Sequence, residues 1–238
     1  MRPFNHIAPV FVLPEGSTSN DWDLAGTGFC FRAPEFIVTA AHCIGNAVIG
    51  QIGIFNFSDG EIIRAIDILK HNTADIAIIR LSSNESRLIP FWNFVSNYSL
   101  GEKFYTYGFP YEDQSTGRRV ITPRLFTGIF QRFFDYSHGP WNYHATELNI
   151  PAPMGLSGGP LFRPGAPQML TGMVTANFES QVIVDYYEEQ VTEREKHIYK
   201  TSKVVTYGVA LLLDKLGEWL NEHLPPSDPG KYASGWHE

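Results

Sequence analysis

Residues 155–160 read Gly155, Leu156, Ser157, Gly158, Gly159, Pro160. A serine set among glycines can occupy a tight turn with its hydroxyl exposed, because glycine reaches backbone angles closed to other residues and leaves room for a substrate chain. Such runs also form plain surface loops, so the segment takes its meaning from two others upstream. Residues 39–43 read Thr39, Ala40, Ala41, His42, Cys43, and residues 75–81 read Asp75, Ile76, Ala77, Ile78, Ile79, Arg80, Leu81. A carboxylate placed just before an apolar strand is costly to bury unless something donates to it. A histidine ring N–H is a fitting donor, since that bond fixes the tautomer and stabilises an imidazolium formed during reaction. The bland alternatives are a strand-capping aspartate, a core histidine and a loop serine, with Asp67 the nearby competitor for the acid.

In the order histidine, aspartate, serine, these motifs resemble the trypsin/chymotrypsin superfamily of serine peptidases, and the resemblance runs from about Gly26 to Trp219. It implies an all-β fold, a chymotrypsin-like pair of six-stranded β-barrels closed by a C-terminal helix, with the reacting groups in the cleft between barrels. Carried over on the matching positions, His42 is the general base, Asp75 its acid partner and Ser157 the nucleophile, while the backbone N–H groups of Gly155 and Ser157 form the oxyanion hole. The implied activity is an endopeptidase acting on protein or peptide substrates through an acyl-enzyme, with no cofactor and no metal. Two other classes stay open: a catalytically latent or inactive relative that binds peptides or a partner, and an acyl transferase of esterase type using the same groups.

The resemblance also carries departures. Residue 156 is leucine where digestive-type enzymes hold the aspartate that captures a freshly cut N-terminus, and no Ile-Val-Gly-Gly start is visible, so activation by N-terminal cleavage is not expected. The chain thus resembles bacterial and high-temperature-requirement-type members more closely, and their peptide-binding domain is not expected after the barrel. Cys30 and Cys43, the only cysteines, flank the hairpin that delivers His42, and the family precedent makes a disulfide between them possible, subject to redox compartment.

Working outward, 238 residues with 43% hydrophobic content suit one large domain, and 21 Gly and 16 Pro favour short strands joined by turns. A net charge of −7 argues against binding a phosphate backbone, and the basic pair Arg118 and Arg119 reads as a solvated loop. No stretch is long and apolar enough to span a membrane. The apolar run 7–13 is too short and proline-flanked for a signal-peptide core and reads as the first strand, so a cytoplasmic location is expected unless a leader was trimmed.

One peptidase domain is expected over 1–238: a first barrel over 1–95, a second over 96–210, a helix over 211–224 and a mobile tail over 225–238. Residues 24–43 read as strand, turn, strand. In the second barrel, strands are expected at 103–107, 119–130 and 144–150. Residues 171–177 match the family strand that pairs with substrate backbone, which implies a hydroxyl of Thr175 near Asp75 and Ala176 and Asn177 facing the peptide. Pro151 is expected at the base of the specificity pocket, Met154 among its lining and Gly208 along one wall. No acidic residue stands at that base, so cleavage after Arg or Lys is disfavoured and small or medium apolar side chains are favoured. The charged stretch 179–207 reads as an enlarged solvated hairpin or helix, with a regulatory or partner-binding role as the alternative.

Overall fold

The computed structural model describes residues 5–17, 21–57, 60–82, 88–111, 121–192, 195–228 and 230. Period-two alternation organises its first half. Strands β1 (Ile7–Val12), β2 (Asp23–Phe31) and β3 (Ala33–Thr39) pair antiparallel in sequence. Along β2, Phe29 and Phe31 point into one hydrophobic cluster while Cys30, between them, points into another. Arg32 turns the β2–β3 corner with a φ of 66° and carries its side chain to the C-terminal helix described below.

A one-turn helix, α1 (Ala41–Ile44), follows β3 directly, and β4 (Ile52–Asn56), β5 (Glu61–Arg64), β6 (Asp67–Lys70) and β7 (Ala77–Arg80) complete the first sheet. Its strand order is β5-β4-β1-β2-β3-β7-β6. The second sheet comprises β8 (Asn93–Phe94), β9 (Lys103–Gly108), β10 (Arg124–His138), β11 (Trp141–Leu148), β12 (Pro160–Arg163), β13 (Ala166–Thr192) and β14 (Glu195–Leu212). They run in the order β12-β9-β10-β11-β14-β13-β8, and a further pairing of β12 with β13 closes the curl, leaving β8 outside it. The fold is thus the expected chymotrypsin-like double barrel with a C-terminal helix, each sheet carrying seven strands rather than six.

Three clusters of buried side chains explain why the two sheets stay together. Val10, Ile37, Ile54 and Ile79 fill the first sheet, and Phe104, Phe130, Leu156 and Val174 fill the second. A third cluster takes Phe29, Phe31 and Ile76 from one side and Phe109, Phe162 and Leu211 from the other. Burying such aromatic and aliphatic groups along the seam contributes roughly 1.5–3 kcal/mol per side chain, which holds the cleft walls in a fixed relation.

Several expectations change. The helix does not begin at residue 211: Leu211 and Leu212 still pair within the sheet, a 3-10 turn covers Leu213–Leu216, and α2 spans only Gly217–His223. Strand pairing on both sides of Leu211 overrides the helical spacing of its leucines. Cys30 and Cys43 are both buried free thiols. Because Cys30 faces the first sheet's own core and Cys43 the seam, their side chains leave opposite faces and form no bridge. The stretch 179–207 is hairpin, not helix. Arg118, Arg119 and most of the tail lie outside the described residues. No helix among the described residues is long and apolar enough to cross a membrane.

Candidate active site

The site begins with Asp75, which ends the turn before β7 and is 2% exposed. Its carboxylate is satisfied twice by one residue: Oδ1 accepts the backbone N–H of His42 at 2.9 Å and Oδ2 lies 2.6 Å from His42 Nδ1. Helix α1 makes this possible, since one turn of helix after β3 points the His42 amide and ring the same way. Burial works against charge on the ring, yet the Asp75 hydrogen bond, together with the Cys43 sulfur, outweighs it and holds the imidazole's proton affinity well above its ordinary value.

The turn that presents Asp75 is shaped by a residue that no sequence motif singles out. His71 Nδ1 accepts the N–H groups of Thr73 and Ala74 at 3.1 and 2.9 Å, and its ring stands edge-on to Trp219 of α2 at 5.2 Å. Burial pushes the His71 pKa down, in keeping with a ring nitrogen that must accept. Asn142 adds a tie from β11, donating its N–H to Thr73 O at 2.7 Å.

Ser157 sits on a turn that requires glycine on both sides. Gly155 and Gly158 have φ of 87° and 84°, and a Cβ at Gly158 would lie 1.9 Å from the Thr27 carbonyl. Leu156 is fully buried in the second sheet's core and anchors the turn from beneath. Thr27 braces it from the first sheet: its N–H donates to Ser157 O at 2.8 Å, and its hydroxyl donates to Gly155 O at 2.6 Å while accepting the Phe109 N–H at 3.0 Å. The Met154 carbonyl is turned away by Tyr111 N at 2.7 Å. With both neighbouring carbonyls tied elsewhere, the N–H groups of Gly155 and Ser157 donate to no protein acceptor among the described residues.

The structure brings His42 and Asp75 into contact and Ser157 beside them, but the serine hydroxyl does not touch the histidine. Ser157 Oγ faces Thr175 O at 3.5 Å, longer than a good O–H···O bond. Cys43 Sγ borders the site, 3.7 Å from both His42 Nε2 and the backbone carbonyl oxygen of Ser157. The Thr175 hydroxyl donates to Val209 O at 3.3 Å and accepts from Tyr143 OH at 3.0 Å, with no hydrogen bond to Asp75 among the described residues. Burial, reinforced by the nearby Asp75 charge, pushes the Tyr143 pKa up and keeps the phenol a donor.

At the expected specificity pocket the side chain of Asn177 spans the gap instead of leaving it open. Oδ1 accepts Ala152 N and Nδ2 donates to Ala152 O, both at 2.7 Å. Gly208 pairs with Asn177 in the sheet and donates to Ile150 O at 2.6 Å, whereas Pro151 is exposed and Met154, 79% exposed, stands at the rim. Ala176 is half-buried beside them.

The chain superposes on an Rv3671c protease from M. tuberculosis in its active form with a TM-score of 0.61 at 15% identity, covering 95% of this chain and 85% of that one. The MamO protease domain from Magnetospirillum magneticum gives 0.60 at 12% identity, covering 91% and 96%. AlgW, an HtrA-type protease with a tripeptide, gives 0.61 at 15% identity, covering 92% of this chain and 61% of that one. Likeness at this identity concerns the fold. No curated protein matches the chain. The trypsin-like peptidase domain, however, matches residues 26–167, well over half of the sequence and all of the segments carrying His42, Asp75 and Ser157, and the chain belongs to that family.

Proposed function

We propose that the chain is a serine endopeptidase in which His42, Asp75 and Ser157 act as the triad. The observation that carries this reading is the buried Asp75 carboxylate held 2.6 Å from His42 Nδ1, which leaves Nε2 as the ring's proton-accepting edge toward the serine turn. Rotation about the Cα–Cβ bond of Ser157 is the adjustment the reading needs, and contacts of this kind are commonly long before substrate binds.

Ser157 Oγ attacks the peptide carbonyl carbon while His42 Nε2 takes its proton, so a C–O bond forms and the carbonyl π electrons move onto oxygen. The amides of Gly155 and Ser157, which donate to no acceptor among the described residues, receive that oxyanion, a contribution on the order of a hundredfold to a thousandfold per donor. The imidazolium then gives its proton to the leaving amine as the C–N bond breaks. Water repeats the sequence on the acyl-enzyme. Asp75 remains ionised throughout and keeps the proton of neutral His42 on Nδ1.

The Asn177 clamp supports a preference for small residues at the position before the cut, because its amide occupies the width a long side chain would need. The Ser157 hydroxyl facing Thr175 O favours one alternative, a latent enzyme whose triad closes only with a ligand. Hydrolysis of a peptide library by the wild type, lost in Ser157→Ala and His42→Ala, supports the endopeptidase. Ester turnover without peptide turnover would assign the site to an acyl transferase, and absence of both would favour latency.

A further inference from the structure

From the pair Phe178↔Tyr207 to the pair Thr192↔Glu195, β13 and β14 form a two-stranded arm that pairs with no other strand among the described residues. β12 leaves β13 at Met173, and β11 leaves β14 at Gly208. Val182, Ile183, Tyr187 and Tyr199 are each about half exposed on this arm. An isolated two-stranded ribbon is marginal in water, and its unpaired edges are templates for association. A ribbon of this length, carrying apolar groups into solvent, calls for a covering surface.

The distribution of charge says which surface. The β13 strand of the arm carries Glu179, Asp185, Glu188 and Glu189 with no base, whereas Lys196, Lys200 and Lys203 stand on β14. A uniformly charged partner would match one strand and repel the other. A second arm laid with its strand order reversed matches both.

The two faces differ in the same sense. Pairs alternate between faces along a ribbon. On one face Glu188 already holds Tyr186 OH and Lys196 Nζ, and Lys200 lies over the Tyr186 ring at 5.8 Å. On the other, Tyr187 and Tyr199 sit ring to ring at 6.1 Å, with Asp185 and Glu189 on either side of Tyr187. Val182 and Lys203 return to this second face after the bulge between Ile183 and Asp185. Neither Glu189 nor Lys203 forms an ion pair among the described residues.

We propose that the arm is a dimerisation element: its Tyr187 and Tyr199 face packs on the same face of a second copy, related by a two-fold axis along the arm. That symmetry places Tyr187 against Tyr199 of the second copy, Glu189 across from its His197, and Asp185 beside its Lys203, so each contact occurs twice. Aromatic pairs surrounded by matched charge are the usual energetic centre of such an interface.

Sedimentation equilibrium on the full chain over a range of concentrations tests this. The wild type is expected to be a closed dimer. Tyr187→Lys with Tyr199→Lys should give a monomer whose far-ultraviolet circular dichroism keeps the barrel signal. Tyr186→Lys with Ile198→Lys, on the opposite face, should leave the dimer intact. Lys203→Glu should weaken association about tenfold, and adding Asp185→Lys should restore it. A wild-type monomer overturns the proposal and assigns the arm to a different protein. Open-ended polymers overturn the two-fold, and equal disruption from both faces overturns the choice of face.

Discussion

At His42 the balance between burial and the Asp75 carboxylate makes a prediction about pH. Since the imidazole's proton affinity is raised, the neutral base needed for attack accumulates only above the ordinary imidazole value of about 6.5. kcat/KM should therefore climb with pH, its midpoint displaced upward. Asp75→Asn should move that midpoint down and lower kcat by about ten-thousandfold, because the amide favours the wrong tautomer. A pH–rate profile of the two proteins checks both; coincident midpoints would remove Asp75 from the role. Asn177 supports a second residue-scale prediction. Asn177→Gly removes both 2.7 Å bonds to Ala152 and clears the gap, so kcat/KM for substrates with leucine or phenylalanine before the cut should rise about 10- to 200-fold over those with alanine. A cleavage-site profile on a proteome digest reads the change, and an unaltered profile would place the specificity determinant elsewhere.

The elements divide into those legible in sequence and those that needed the assembled fold. The three motifs could be read because each is local: one helical turn aims His42, one turn ends on Asp75, and the serine turn follows from the glycines at 155 and 158. Thr27 and Tyr143 could not, since each acts on a residue distant in sequence, and His71, which shapes its own turn, takes its ring orientation from Trp219 far along the chain. The start of α2 is hidden in the sequence for the same reason, as β11 and β13 claim Leu211 before the helix can. Between 179 and 207, alternating apolar and charged residues fit a ribbon and a solvated helix about equally, and only pairing decides. Thr27 offers the test at this scale. Thr27→Val keeps the shape but leaves Gly155 O and Phe109 N without their partner, which costs about 1–3 kcal/mol of stability. Urea unfolding should show this as a lower midpoint, with activity falling further than stability because the oxyanion amides lose their brace. A variant with wild-type turnover would show that the turn holds itself.

For the whole molecule, the first sheet hangs partly on a buried histidine. His6 is 2% exposed, its Nδ1 lies 2.8 Å from Ile89 O, and its ring rests 5.4 Å from Phe91. Desolvation lowers its pKa to about 4, against the Ile89 hydrogen bond that raises it. The unfolded chain therefore binds this proton first, so stability is undiminished above pH 6.5 and is lost as pH falls from there toward 4. The loss amounts to about 3 kcal/mol. His6→Gln should flatten that part of a stability-against-pH curve, and an unchanged slope would mean other groups dominate it. Peptide hydrolysis here depends on an imidazole, a carboxylate and an alcohol from two barrels acting as one reacting unit. The most direct measurement is intact-protein mass spectrometry after exposure to a fluorophosphonate. One adduct mapping to Ser157, absent from Ser157→Ala and strongly slowed in His42→Ala, is the predicted result; a folded wild type that stays unlabelled, or an adduct that persists in Ser157→Ala, would contradict it.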